Sequence, residues 1–208
     1  MPVRRLPALV VLAAVLAACG GSGYAYVANR REGVFFKVPD EWRVFETDEL
    51  LDAEAAAGRW VRGFDAAAVP DPDRVFVVQS TTPRGFAEVR ALSASERQRV
   101  SLTTLRATGF GATEEGEPID PLLYAEQNPD ELRILDYEEL VLDDARGVRL
   151  RIRATDRDGT VVILDQRVLV DDATSTRFLF TIGCTDECWE AHGDQMEEVL
   201  ESWTLQAS

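Results

Sequence analysis

Apolar and polar residues alternate most regularly in the C-terminal half of the chain. Val148, Leu150, Ile152 and Ala154 interleave with Arg149, Arg151 and Arg153. A period of two predicts a strand with one buried face. Asp158-Gly159 is a hairpin pair and leads into a longer apolar run over Val161 to Val170. Asp171 to Ser175 forms the next turn, and Phe178, Phe180 and Ile182 then share one face of a strand from Arg177 to Gly183. Leu132 to Leu142 is a fourth strand, expected to bend near Asp136. Consecutive strands joined by short polar turns predict an antiparallel meander. The period then changes. Trp189, Met196, Val199, Leu200 and Trp203 fall near one stripe at 3.6 residues, predicting a closing helix capped by Thr185 with Asp186 and Glu187 in its first turn.

The N-terminal half is less regular. Val34 to Val38 and Trp42 to Phe45 read as strands around a Pro39-Asp40 turn. Thr47 is placed to cap a helix over Asp48 to Ala57, stopped by Gly58. Trp60 to Phe64, Arg74 to Ser80 and Gly85 to Leu92 read as strands, with Ala66 to Pro72 as a loop. Ser93 and Glu96 have capping-box spacing, so a helix should run to about Ala107, with Gly109 as its stop. Gly111 to Pro118 is an acidic, glycine-rich loop. Asp120-Pro121 starts a short helix over Leu122 to Glu126 that Asn128-Pro129 ends. Strands with packing helices give an α+β class: an antiparallel sheet meander covered by helices.

The first residues follow a different logic. Arg4 and Arg5 precede an uncharged apolar run, Leu6 to Ala18. The run is shorter than the roughly 20 residues that cross a bilayer. Charge, short apolar run and small residues mark an export signal. Leu16-Ala17-Ala18-Cys19 resembles the lipobox of bacterial lipoproteins. That resemblance implies cleavage before Cys19, a diacylglyceryl thioether on its sulfur, and attachment to the outer face of the cell membrane. Three cysteines leave one unpaired; Cys184 and Cys188 are close enough to pair, and Cys19 is the odd one. The expected organisation is a signal peptide over 1–18, a lipidated Cys19 with a flexible tether over 19–32, and one domain over 33–208.

Charge narrows the partners. The chain has 22 basic and 37 acidic residues, net −15. With Arg4 and Arg5 removed, 20 basic residues stand against 37 acidic ones, net −17. Such a field repels phosphate backbones and anionic headgroups. Nucleic acid is therefore not an expected partner, and lipid on Cys19 must supply the membrane attachment.

Candidate chemistry is sparse. Cys184-x-x-x-Cys188 sits at a strand-to-helix junction, and export permits a disulfide there. A zinc site would need these cysteines with His192 and Asp186, a poor match to usual ligand spacings. His192 is the single histidine, and no Gly-x-Ser-x-Gly elbow occurs. Asp143-Asp144 and Asp171-Asp172 could serve hydrolysis or calcium, but both lie in expected turns, where Asp is common. Asp156 to Gly159 has only part of a calcium loop. Arg149, Arg151 and Arg153 could hold an anion, or could pair with acids such as Asp136, Glu138 or Asp165. No cofactor is implied.

Val38-Pro39-Asp40-Glu41-Trp42 and the ending Ser202-Trp203-Thr204-Leu205 resemble motifs of the Mog1/PsbP-like superfamily, especially its small actinobacterial lipoproteins. The resemblance covers roughly Val34 to the C-terminus and fits least over Asp65 to Arg84. It implies a sheet-and-helix fold and a binding or assembly role. The leading expectation is a non-catalytic module for an envelope protein or small ligand. The alternatives are an envelope hydrolase or carbohydrate-active enzyme using acidic loop residues, and a hydrophobic-ligand carrier.

Overall fold

A computed structural model describes residues 23–110 and 117–206. The elements run β1 (Tyr24–Asn29), β2 (Val34–Pro39), β3 (Arg43–Phe45), α1 (Thr47–Leu50), β4 (Arg59–Asp65), β5 (Arg84–Ala91), α2 (Ala94–Arg99), α3 (Leu102–Arg106), α4 (Pro121–Gln127), β6 (Leu132–Val141), β7 (Ala145–Thr155), β8 (Val161–Asp171), β9 (Thr176–Thr185), α5 (Asp186–Glu201) and β10 (Thr204–Leu205). Seven strands form one sheet in the order β3-β4-β5-β9-β8-β7-β6. A second sheet has the order β1-β2-β10. Every pairing is antiparallel, so the fold is α+β.

The large sheet is covered on both faces, which explains the nearly continuous apolar runs of its central strands. On one face Phe178, Phe180, Ile182 and Cys184 pack with Met196, Val199 and Leu200 of α5 and Phe36 of the small sheet. Phe180 is the hub of this layer, with ring centroids 5.2 Å from Phe36, 5.7 Å from Phe64 and 5.6 Å from Trp203. On the other face Val148, Val168 and Leu179 meet Leu105 of α3. Leu132, Leu150 and Ile152 meet Leu122 and Tyr124 of α4.

The meander, its bend and the last helix follow the sequence pattern, although Thr185 holds the N-cap position of α5 without a side-chain cap bond and Trp203 falls just past the helix end. The β6–β7 register slips between Ile134 and Asp136, leaving Leu135 as the bulged residue. Gly159 turns the β7–β8 hairpin at φ +85°, a backbone region favouring glycine. Asp120 caps α4 by accepting from the Leu122 N–H at 3.1 Å, with Pro121 first in the helix.

Four local expectations are corrected. The segment read as tether contains β1, which pairs with β2 along its whole length and buries Val27. Its Tyr-Ala-Tyr-Val core suits a pleated, half-buried surface. The helix expected over Asp48 to Ala57 ends at Leu50. After Leu51 it would offer only alanines to a core. Thr47 is not its cap: its hydroxyl accepts from the Val61 N–H and donates to the Val61 carbonyl, while Glu46 and Glu49 form the capping box. Arg74 to Ser80 is not a strand but the end of a 3-10 turn and irregular chain. Both sides of β4 and of β5 are already paired, so no edge remains for it. Val75 instead plugs against Gly63, where a Cβ would lie 2.6 Å from Val75 Cγ1. Finally, the helix begun by Ser93 breaks at Val100, and Ser101 caps a second one by accepting from the Thr104 N–H.

Candidate functional site

The β6–β7 and β8–β9 turns emerge at the same end of the sheet, because alternate turns of a meander share an end. They touch: the Asp172 N–H donates to the Asp144 carbonyl at 3.1 Å. The chain's last segment forms a facing wall. β10 pairs with β2, and the Gln206 N–H donates to the Gly33 carbonyl at 2.8 Å. Gly33 has φ +66°, and a Cβ there would lie 2.0 Å from the Gln206 carbonyl oxygen. Only glycine permits this closure.

Between these walls lies an open groove of about 890 Å³, within the range of ligand sites. Its floor is buried Leu169, Phe178 and Trp203. Val141, 84% exposed, and Leu142, 45% exposed, extend the apolar surface outward. The rim carries Glu32, Asp143, Asp144 and Asp172. The Trp203 indole N–H is buried without a hydrogen-bond acceptor among the described residues, a deficit of about 1–3 kcal/mol. Arg167 also lines the groove, but its guanidinium is committed to the Leu200 carbonyl at 3.0 Å and to Glu201. The groove is therefore apolar below and acidic above.

Asp171 belongs to the turn rather than to the rim chemistry. Its carboxylate accepts from the Ser175 and Thr176 N–H groups and from the Ser175 hydroxyl. Burial opposes its ionisation, but these bonds outweigh burial and hold the carboxyl below the usual aspartate range. A carboxyl so held is a poor general acid at neutral pH. Asp156 and Asp158 likewise serve their turn, Asp158 accepting from the Thr160 N–H at 2.9 Å and Asp156 from the Arg157 N–H at 2.6 Å.

The arginine strip faces the protein. Arg149 and Arg151 both donate to buried Asp165, at 2.9 and 2.7 Å, and both reach Glu197 of α5. Arg153 pairs with Asp186 at 2.9 Å. Asp136 and Glu138 stand opposite Arg151 and Arg149 on β6, yet the ion pairs go to Asp165 and the helix. Burial opposes ionisation of Glu197, and the two guanidinium groups outweigh it, holding its carboxyl low. The strip therefore clamps α5 to the sheet and is not open to an anionic ligand.

Cys184 and Cys188 form a disulfide with Cα atoms 5.9 Å apart. Both are buried, tying the end of β9 to the first turn of α5. His192 is exposed on α5. Among the described residues no group of three or more His, Cys, Asp or Glu is placed to hold a metal ion. Cys19 and the expected signal peptide lie outside the described residues. No described helix is long and apolar enough to cross a membrane.

The groove escaped the sequence reading because Leu140 to Ala145, Leu169 to Ala173 and Trp203 to Gln206 are far apart in the chain. One signal was present. Asp143-Asp144 and Asp171-Asp172 punctuate turns separated by two strands, and such turns must lie at one end.

Neither protein-family models nor curated protein sequences give a match. Solved structures do. The chain is similar to the solution structure of the cyanobacterial PsbP of Synechocystis, with TM-score 0.51, 12% identity, and 91% of this chain and 96% of that one covered. It is also similar to LpqN of Mycobacterium tuberculosis, described as involved in cell envelope biogenesis (TM-score 0.48, 13% identity, 88% and 91% covered). A third is the Saccharomyces cerevisiae Ran-binding protein Mog1p (TM-score 0.43, 9% identity, 88% and 95% covered). The PsbP likeness establishes the fold; at this identity it assigns no activity.

Proposed function

We propose that this chain is a lipid-anchored envelope protein whose domain binds, without catalysis, a ligand that is apolar and positively charged. The groove carries the reading. Its floor offers apolar burial and its rim offers carboxylates. A hydrophobic-ligand carrier is disfavoured because the groove is open and its acids would be desolvated by a purely apolar guest. A hydrolase that uses Asp171 is disfavoured by the turn role of that residue.

The anchor supports a direction for the groove. The Asp40 N–H donates to the Gly23 carbonyl at 3.0 Å, tying the start of the domain to the β2–β3 turn. From Cys19 to Gly23 is four residues, at most about 14 Å of extended chain. With lipid on Cys19, that end of β1 is held close to the membrane. β1 then runs about 17 Å toward the turn that carries Glu32 at the groove. The groove thus lies at the other end of β1 from the anchored end, with partners in the envelope space.

The test uses two single-chain amphiphiles below their micelle concentrations, dodecyltrimethylammonium and dodecyl sulfate, with tryptophan fluorescence as the readout. The cation should give a saturable change that Trp203→Phe diminishes, and the anion should give none. Equal responses to both, or none to either, would overturn the groove reading. Cys19→Ala should abolish fatty-acid labelling and membrane retention; retention with label would overturn the anchor.

A further inference from the structure

β6 is the outer strand of the large sheet, pairing only with β7. An edge strand presents unpaired N–H and C=O groups, and proteins blunt such edges by shortening, bulging, covering or charging them. The opposite edge, β3, is only three residues long. β6 has ten, and its two halves differ. The first half packs under α4, through Leu132 and Ile134, and ends at the Leu135 bulge. The second half, Asp136 to Val141, returns to unbroken register with β7. It has a concavity on each side of its tip: the large groove, and a smaller one of about 370 Å³ lined by Leu102, Leu105 and Gly147. Leu140 and Val141 border both.

Charge then selects the occupant. Asp136, Glu138, Glu139, Asp143 and Asp144 crowd this edge and its turn. Against a second copy of the same edge these acids would face acids, and like charges directly opposite destabilise a strand pair. Against a basic strand they attract. An acidic guard thus excludes self-pairing while leaving a cationic partner admissible. The exposed Val141 and Leu142 provide apolar contacts for alternate side chains of such a strand.

We propose that the second half of β6 is a strand-addition site for an extended protein segment in which basic and apolar residues alternate, the added strand turning its apolar side chains to the face of one groove beside Leu140 and Val141 and its basic side chains to the other face. This rests on the groove reading above and specifies its partner. Strand addition draws affinity from main-chain hydrogen bonds and specificity from pockets for alternate side chains.

The probe is an eight-residue peptide alternating Lys and Val, added to the lipidated chain in nanodiscs of zwitterionic lipid. Amide hydrogen exchange over residues 136–142 is the readout. Protection should rise at least tenfold. It should disappear when alternate peptide nitrogens are N-methylated, or when Glu replaces Lys. Val141→Lys, at a position 84% exposed, should weaken binding about tenfold while the chain keeps its unfolding midpoint. Undiminished binding of the N-methylated peptide would overturn strand addition and indicate plain charge attraction. Concentration-dependent self-protection of 136–142 would replace the partner with a second copy. Saturable binding of the cationic amphiphile, with no peptide protection of β6, would sink this inference alone; silence from both probes would sink the groove reading too.

Discussion

Two charged regions of this domain behave oppositely in the fold. At the interface of α5 with the sheet, Arg149, Arg151 and Arg167 meet Asp165, Glu197 and Glu201. At the end of the meander, Asp143, Asp144 and Asp172 surround an apolar groove and make no ion pair among the described residues. The first set lies on strand and helix faces turned toward each other, so its charges had to be neutralised before burial. The second lies on turns, where water remains available and no partner is required. Charge that packs becomes architecture; the carboxylates of Asp143, Asp144 and Asp172 remain open to a ligand.

The sharpest way to break the comparison is Asp165→Asn. Asp165 is wholly buried and serves two arginines. Losing its charge leaves Arg149 and Arg151 with Glu197, and Arg149 with the more distant Glu201 at 3.6 Å. Removing one member of a buried pair costs about 3–5 kcal/mol, and the amide's remaining hydrogen bonds place the expected loss near 3 kcal/mol. Urea unfolding should show a lower midpoint with unchanged slope. A loss below about 1 kcal/mol would mean the clamp adds little.

Acid should separate the regions next. The carboxyls of Glu197, Glu88, Asp120 and Asp171 are all held below their usual range, and that of Glu96 is brought down to about 2 by Arg90 and the capping box at Ser93. For Glu88 burial pushes the other way, but Arg177 and Arg59 prevail. A carboxyl with a depressed folded pKa binds fewer protons in the folded state than in the unfolded one. Its stabilisation is therefore complete above the unfolded value, about 4.3 for glutamate, and fades as pH falls through the folded value. The unfolding midpoint should be flat from pH 7 to 5 and drop steadily from about pH 4.5 to 2. A stability maximum below pH 4 would contradict this assignment.

How much of this was legible depends on where each signal was written. The meander, the Leu135 bulge and α5 were visible because their periodicity is local and repeated over many residues. Val148, Leu150 and Ile152 announce a buried face without help from the rest of the chain. Arg74 to Ser80 misled because its composition suits a strand, while the decision lay with β4 and β5, whose edges were already occupied. β1 was hidden by its glycine-rich approach, and only its pairing with β2 makes it a strand. The destination of the arginines was half legible: Asp165 was identifiable as a cross-strand acid, whereas Glu197 and Glu201 required knowing which sheet face α5 covers. The groove needed the topology most, since its walls come from three distant segments.

The gentlest test acts on the second region alone. Asp143→Asn, Asp144→Asn and Asp172→Asn replace turn carboxylates by amides of the same shape, and all three side chains are exposed. Surface substitutions of this kind usually stay within about 0.5 kcal/mol, and asparagine tolerates the same turn conformations. The triple variant should keep its unfolding midpoint and its Asp165-centred clamp. Removing nearby acids should nonetheless weaken the dodecyltrimethylammonium response several-fold, with the remaining affinity less sensitive to salt because fewer charges are screened. A variant that destabilises the fold while leaving cation binding intact would reverse the comparison, making the turn acids structural and moving the ligand away from the groove.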